Sequence, residues 1–504
     1  MKKTRLPLFL LCLLTMSALA IACGDPSTSS GQADDDDDAA PGDDDVAEPD
    51  DEDDDAAPDD DAHDDDDDTS PDGIWSDLSG QGLPVNKIMG IATQMYDGPE
   101  ANQERAFEIE KLLEAGLYRV RASIDWPDVE PVQDEFTFDY SDPFVELLLE
   151  AGLQFDGRLC YGVDWAYPSG YASEIEPADF GDYAGAVAGH YCGQIDSWEI
   201  WNEENLAVFW KPEPDPDHYG KMLKAAYTAV HDACPDAKVV FGGLSCFETS
   251  FLWNGLYYFL ERVHEYHPDI ADYFDVLAIH PYTFLQTTSP EWTGRLGEWE
   301  FWPSMPGQVE VARQRLATLG APDKPIWFTE WGWPSLIVGD RAQASWLARG
   351  ALLAIADGIE ALDWYTFYDR EPGSTLPTED YFGLFTYPSA PEGPREKPSF
   401  TVVKTLSTVL GESRFAGDLS TALALPEGVY GLAFIDETSD EFRFAGWDGR
   451  QWQSQPIELP CPPGTVSYRV FDEQGKLLDQ SATAESISVE LSNRVIYVEF
   501  VSAR

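Results

Sequence analysis

Asp196-Ser-Trp-Glu-Ile-Trp-Asn-Glu-Glu-Asn205 is a short apolar run that stops at four polar residues, Asn202, Glu203, Glu204 and Asn205. Trp198, Ile200 and their neighbours are strand formers, so the stretch reads as a strand with carboxyl groups at its end. Taken alone, it reads equally well as a solvated loop that begins with acids. A second stretch, Lys324-Pro-Ile-Trp-Phe-Thr-Glu-Trp-Gly-Trp-Pro334, repeats the form, with Glu330 at the end of an apolar run and aromatics on both sides. Partial burial at a strand end raises a carboxyl pKa and makes it a proton donor. Two such glutamates set among tryptophans are what cleavage of a glycosidic bond requires.

Outward from these two stretches, strand-like and helix-like segments alternate from about Trp75 to Glu412. The strands are expected at Lys87–Thr93, Tyr118–Ile124, Leu153–Tyr161, Trp198–Trp201, Lys238–Gly243, Val276–Ile279, Pro325–Thr329 and Ala361–Phe367. Helical segments separate them, and several end at glycine, as after Ala115 and Ala151. The pattern predicts a (β/α)8 TIM barrel. An open doubly wound sheet also alternates, but it usually carries a Gly-rich phosphate turn that is not present here. After Gly411 the pattern becomes short β-like runs, with Asp448-Gly449 and Gln474-Gly475 as hairpin turns. A small antiparallel β-sandwich is expected over 413–504.

In such a barrel the active site forms at the C-terminal ends of the strands. The residues expected there are Arg121 and Trp126 from the second strand, Tyr161 and Trp165 from the third, and Asn202 and Glu203 from the fourth. The sixth adds His280 and Tyr282, the seventh Glu330 with Trp331 beside it, and the eighth Trp364. Aromatic rings stack on the CH faces of sugars. One carboxylate can capture the charge that develops at the anomeric carbon, while a protonated one serves the leaving oxygen. The plainer readings are core packing for Trp126, Trp165 and Trp210, a structural histidine for His280, and a buried ion pair for Arg121.

The Asn202-Glu203 pair, the Thr329-Glu330-x-Gly332 motif, Arg121-x4-Trp126 and His280-Pro-Tyr282 together resemble the retaining glycoside hydrolases of clan A. The run from Trp75 to Glu412 is most similar to family 39, whose members include β-xylosidases and α-L-iduronidases, with family 5 relatives nearby. Tyr381-Phe-Gly-Leu-Phe385 and Lys397-Pro-Ser-Phe400 fit that group as well. The resemblance implies Glu203 as acid/base, Glu330 as nucleophile, Asn202 on the sugar 2-hydroxyl, Arg121 and Tyr282 as supports of Glu330, and Trp364 as the platform under the sugar. The family motif continues with proline where this chain has Glu204. Glu203 is assigned because it directly follows the asparagine. A glycan-binding protein without catalysis and a transglycosylase are the rival readings. No metal or organic cofactor is implied, and the sequence carries no signal for an oligomeric state.

The chain of 504 residues begins with Lys2, Lys3 and Arg5, an apolar run from Leu6 to Leu14, and Leu19-Ala-Ile-Ala-Cys23. This is a signal peptide whose end resembles the lipobox of bacterial lipoproteins, so Cys23 is expected to carry a lipid anchor, with export to a bacterial membrane face. Residues 34–68 hold 21 Asp and 2 Glu without a single Lys or Arg. Such a run repels itself and reads as an extended spacer within a linker over 24–74. The folded part remains acidic within a net charge of −62, which disfavours nucleic acid and suits a neutral carbohydrate. Of the cysteines, Cys160, Cys192, Cys234, Cys246 and Cys461 lie in the folded part; mostly buried thiols are expected, with pairing open.

Overall fold

The computed structural model describes residues 73–93, 102–248, 255–296, 299–371, 373, 377–450, 453–482 and 485–503. The expected signal peptide, Cys23 and nearly all of the acidic spacer and its linker lie outside the described residues.

Eight parallel strands close a barrel: β1 (Met89–Ala92), β2 (Arg119–Asp125), β3 (Gln154–Cys160), β4 (Ser197–Asn202), β5 (Lys238–Ser245), β6 (Val276–His280), β9 (Ile326–Trp331) and β10 (Leu362–Tyr365). β10 pairs with β1 and β1 with β2, so no edge is left open. The crossovers carry α1 (Asn102–Glu114), α2 (Asp142–Glu150), α3 (Pro177–His190), α4 (Pro216–Ala233), α5 (Tyr258–Tyr266), α6 (Met305–Thr318), α7 (Asp340–Ala356) and α8 (Pro398–Leu410). The expected strands are found, with ends shifted by one or two residues. The long segment between β6 and α6 adds a short hairpin, β7 (Gly294–Leu296) with β8 (Trp299–Trp302).

α3 and α4 pack closely because small residues recur at four-residue spacing. A Cβ on Gly181 would lie 3.2 Å from the Ala225 backbone, and one on Gly185 would lie 3.0 Å from the Ala229 Cβ. A disulfide joins Cys192, just past α3, to Cys234 at the end of α4, with Cα atoms 5.4 Å apart. The pairing left open by the sequence is therefore Cys192–Cys234, while Cys160, Cys246 and Cys461 are buried thiols.

The chain then forms a six-stranded antiparallel sheet in the order β11 (Arg414–Asp418), β12 (Val429–Asp436), β13 (Glu441–Asp448), β18 (Ile496–Ser502), β15 (Thr465–Asp472), β16 (Leu477–Ala482). A two-stranded sheet, β14 (Gln455–Pro460) with β17 (Ser486–Leu491), supplies Ile457, Leu459, Ile487, Val489 and Leu491 to the same core. Gln474-Gly475 does turn the β15–β16 hairpin. Asp448-Gly449 does not turn a hairpin, because β14 joins the other sheet instead of pairing with β13. Trp75 also departs from the expected boundary. It lies in this second core, with its indole N–H on the Pro460 carbonyl at 3.0 Å and its ring against Phe442 and Phe500, not at the start of the barrel.

A buried junction helps tie this region to the barrel. Glu291, just before the β7–β8 hairpin, accepts from Arg349 Nε of α7 at 2.7 Å and from the Trp447 indole of β13 at 2.9 Å. Arg349 also donates to the Asn493 carbonyl at 3.2 Å, and Tyr430 stacks on Trp447 at 4.7 Å.

Candidate active site

Strand parity decides what fills the barrel. Inward positions on β2 and β3 are charged or polar: Arg119, Arg121 and Ser123, then Asp156 and Arg158. The lower layer holds the Arg119–Asp156 ion pair at 2.6 Å, with Asp363 of β10 close by. Asp363 fits because β1 has Gly90 there; a Cβ would lie 2.2 Å from its carboxylate oxygen. Burial, with Asp156 nearby, pushes the Asp363 carboxyl up despite Arg119.

The layer above is organised by Arg121. Its Nε and Nη2 donate to the two oxygens of Glu199 at 2.8 and 2.7 Å. Nη2 also donates to Asn202 Oδ1 at 2.9 Å, and Nη1 reaches Glu330 Oε2 at 3.4 Å. Burial would raise the Glu199 carboxyl, but Arg121 outweighs it and holds the group below its ordinary value. The Gly243 N–H adds a bond to Glu199 at 3.0 Å.

Glu330, at the end of β9, accepts from the Tyr282 hydroxyl at 2.7 Å as well as from Arg121. Burial raises the phenol well above its usual range, so Tyr282 stays a donor. Glu203 has a different setting. The backbone turns through positive φ at Trp201 and again at Glu203, where φ is 48°, and the Glu203 N–H is held by the Gly243 carbonyl at 3.1 Å. Left-handed geometry at non-glycine residues persists only where surroundings enforce it. Its carboxyl meets His280 Nδ1 at 3.0 Å. Burial raises Glu203 to about 7, and burial lowers His280 to about 4, so the imidazole is neutral. Thr329 Oγ1 lies 3.3 Å from the other imidazole nitrogen.

Glu203 and Glu204 point to different places. Glu204 is fully buried against Gly242, where a Cβ would lie 2.3 Å from Glu204 Oε2, and beneath Tyr219 of α4. Burial raises its carboxyl well above the ordinary range. Glu203 keeps some exposure and shares its surroundings with Arg121, Arg158 and Glu199. Asn205 fastens this loop to the end of β5 through paired bonds with the Ser245 backbone at 2.8 and 3.0 Å.

The barrel thus brings together Arg121, Asn202, Glu203, His280, Tyr282 and Glu330. Tyr161 and Trp165 are partly exposed at the β3 end, Tyr161 stacked on Phe209 at 6.2 Å and Trp165 bonded to the Glu130 carbonyl at 3.0 Å. Four expectations are corrected. Trp126 is fully buried, stacked on Tyr183 with its indole on Glu130 at 2.7 Å. Trp331 packs outward under α7, where a Cβ on Gly350 would lie 2.9 Å from its ring. Trp364 sits between the inward residues Asp363 and Tyr365, so it faces outward onto Trp331 and Trp333 and donates to the Phe382 carbonyl at 3.2 Å. His280 is fully buried and meets Glu203 instead of substrate.

Sequence reasoning missed Glu199, Arg158 and Tyr365. Charges at alternate positions inside strands that are otherwise apolar were the signal for the first two. Tyr365 is the inward aromatic at the end of β10; its hydroxyl donates to Glu379 at 3.4 Å and accepts from Arg370. Burial, with the nearby charge of Glu330, raises Glu379 to about 7.

No family model matches the chain. Among solved structures it is similar to a family 39 glycoside hydrolase from the gut symbiont Bacteroides cellulosilyticus WH2, with a TM-score of 0.66 and 21% identity over 84% of this chain and 82% of that one. It is similar to a monomeric β-xylosidase from Caulobacter crescentus CB15, with a TM-score of 0.58 and 18% identity over 85% of this chain and 99% of that one. A third likeness is to AbfB, a family 51 α-L-arabinofuranosidase from Bifidobacterium longum, with a TM-score of 0.55 and 11% identity over 84% of this chain and 98% of that one. What these likenesses show is the fold, a closed parallel barrel.

Proposed function

We propose that this protein is a retaining glycosidase that cleaves O-glycosidic bonds in neutral β-linked glycans. The observation that carries the reading is the opposed setting of two carboxyl groups at the strand ends. Glu330 accepts hydrogen bonds from Arg121 and Tyr282, which suits an ionised nucleophile. Glu203, raised to about 7 by burial, can hold a proton near neutral pH.

In the first step Glu330 attacks the anomeric carbon and forms a glycosyl ester. The bond to the leaving oxygen breaks, and that oxygen takes the proton of Glu203. In the second step Glu203 removes a proton from water, the water oxygen bonds to the anomeric carbon, and Glu330 departs as carboxylate. Tyr365, inward at the end of β10, is the aromatic we assign beneath the sugar in place of Trp364. The named specificity of one neighbour makes aryl β-xylosides the first substrates to try.

The test is hydrolysis of these glycosides with proton NMR of the first product formed. Hydrolysis with retained anomeric configuration, abolished in Glu330→Gln with the fold intact, supports the proposal. Inversion, or a Glu330→Gln variant that keeps most activity, refutes it. We further propose that Cys23 is lipidated and holds the enzyme at a bacterial membrane. Metabolic labelling with a fatty acid, abolished by Cys23→Ser, is the check.

A further inference from the structure

β3 brings a second guanidinium into the barrel. Arg158 is in register with Ser123 of β2 and Glu199 of β4. Its Nε donates to Ser123 Oγ at 3.0 Å, Nη2 donates to the same oxygen, and Nη1 donates to Asn202 Oδ1 at 2.9 Å. Asn202 Oδ1 also accepts from Arg121 Nη2 at 2.9 Å. Both acceptor sites of that oxygen are then filled.

Guanidinium groups only donate, so flipping the amide would set its NH2 against two cations. The amide is locked by this pair. Its Nδ2 is bonded to no protein group among the described residues, and it is not sealed from solvent either. Arg121 is explained by its carboxylate partners Glu199 and Glu330. Arg158 has no carboxylate within ion-pair distance among the described residues, and its hydrogen bonds run to Ser123 and Asn202.

We propose that Arg158 is a positioning residue that locks the Asn202 amide with its NH2 toward the mouth, where the glycosidase reading already puts the sugar 2-hydroxyl. The proposal rests on the glycosidase reading for the identity of the substrate, but the locking itself does not. A sugar hydroxyl accepts from the presented NH2, while a 2-deoxy sugar offers nothing there.

Two variants test this, Arg158→Met and the conservative Arg158→Lys, each checked for folding by thermal melting. The first readout is a crystal structure of each, in which the orientation of Asn202 is read from its partners. Release of the amide, seen as loss of the Arg121 bond or a rotated side chain, supports the proposal in Arg158→Met. An unchanged amide overturns it. The second readout is kcat/KM on 4-nitrophenyl β-xyloside and its 2-deoxy analogue. Arg158→Met is expected to lose about 10- to 100-fold on the first and less than about threefold on the second, with Arg158→Lys in between. Equal losses on both would make the role purely structural and overturn the proposal. If the native enzyme cleaves no glycoside offered, the glycosidase reading fails, and the crystal structures still decide the role of Arg158.

Discussion

Replacing Tyr282 with Phe removes one oxygen atom from the site and tests how Glu330 is held. Two donors reach Glu330, at 2.7 Å from Tyr282 and at 3.4 Å from Arg121. The Arg121 contact is at the outer limit of a hydrogen bond, so the phenol is the stronger anchor. A hydrogen bond to a charged group contributes about 1.5–3 kcal/mol, which corresponds to a fall of about 10- to 150-fold in rate. The ring is retained, so its packing against Phe247 and Phe382 survives. The assay is kcat/KM on aryl glycosides with good and poor leaving groups, beside a thermal melt. Because Tyr282 acts on the nucleophile, the loss is expected with both leaving groups and with little change in melting temperature. A loss under about threefold, at unchanged stability, would mean that Arg121 alone orients Glu330, and the reasoning would be refuted.

The pH profile should show an alkaline limb near the Glu203 pKa of about 7, since the acid form gives the proton; a limb unaltered in Glu203→Gln with an activated leaving group would place that ionisation elsewhere. Asp363 is raised by burial, so its contribution to stability is full below the ordinary carboxylate range and is lost as pH rises through the folded value. Asp363→Asn should therefore gain in melting temperature over the native protein as pH is raised, and parallel curves would contradict this. Reducing the Cys192–Cys234 bridge, which closes a separation of 42 residues, should cost about 2–4 kcal/mol in denaturant unfolding; equal midpoints with and without reductant would refute it.

The strand–helix alternation was legible because hydrophobic period and glycine stops are local properties. Glu203 and Glu330 were legible because each ends an apolar run. The direction of the aromatics was not. At a strand end, consecutive residues face opposite layers, so Trp364 and Tyr365 exchange roles on a shift of one position. Trp331 likewise depends on the space left by Gly350 on α7, 19 positions further along the chain. Glu203 is legible by its place after Asn202, but the full burial of Glu204 beyond the positive φ at Glu203 has no signal in the sequence. Trp75 opens the alternating run in the sequence, yet its ring completes a core formed by strands near the other end of the chain.

The junction at Glu291 bears on how this protein can be cut and recombined. The carboxylate receives one partner from the barrel and one from the six-stranded sheet, and it stands at the foot of the hairpin segment that follows β6. Ending the chain after Leu410 would remove Trp447 and the Asn493 carbonyl together, leaving a buried ion pair stripped of two of its neighbours. The C-terminal region is therefore not a detachable appendage. Chimaeras that exchange it for another module should be built with residues 284–302 and Arg349 grafted from the same parent.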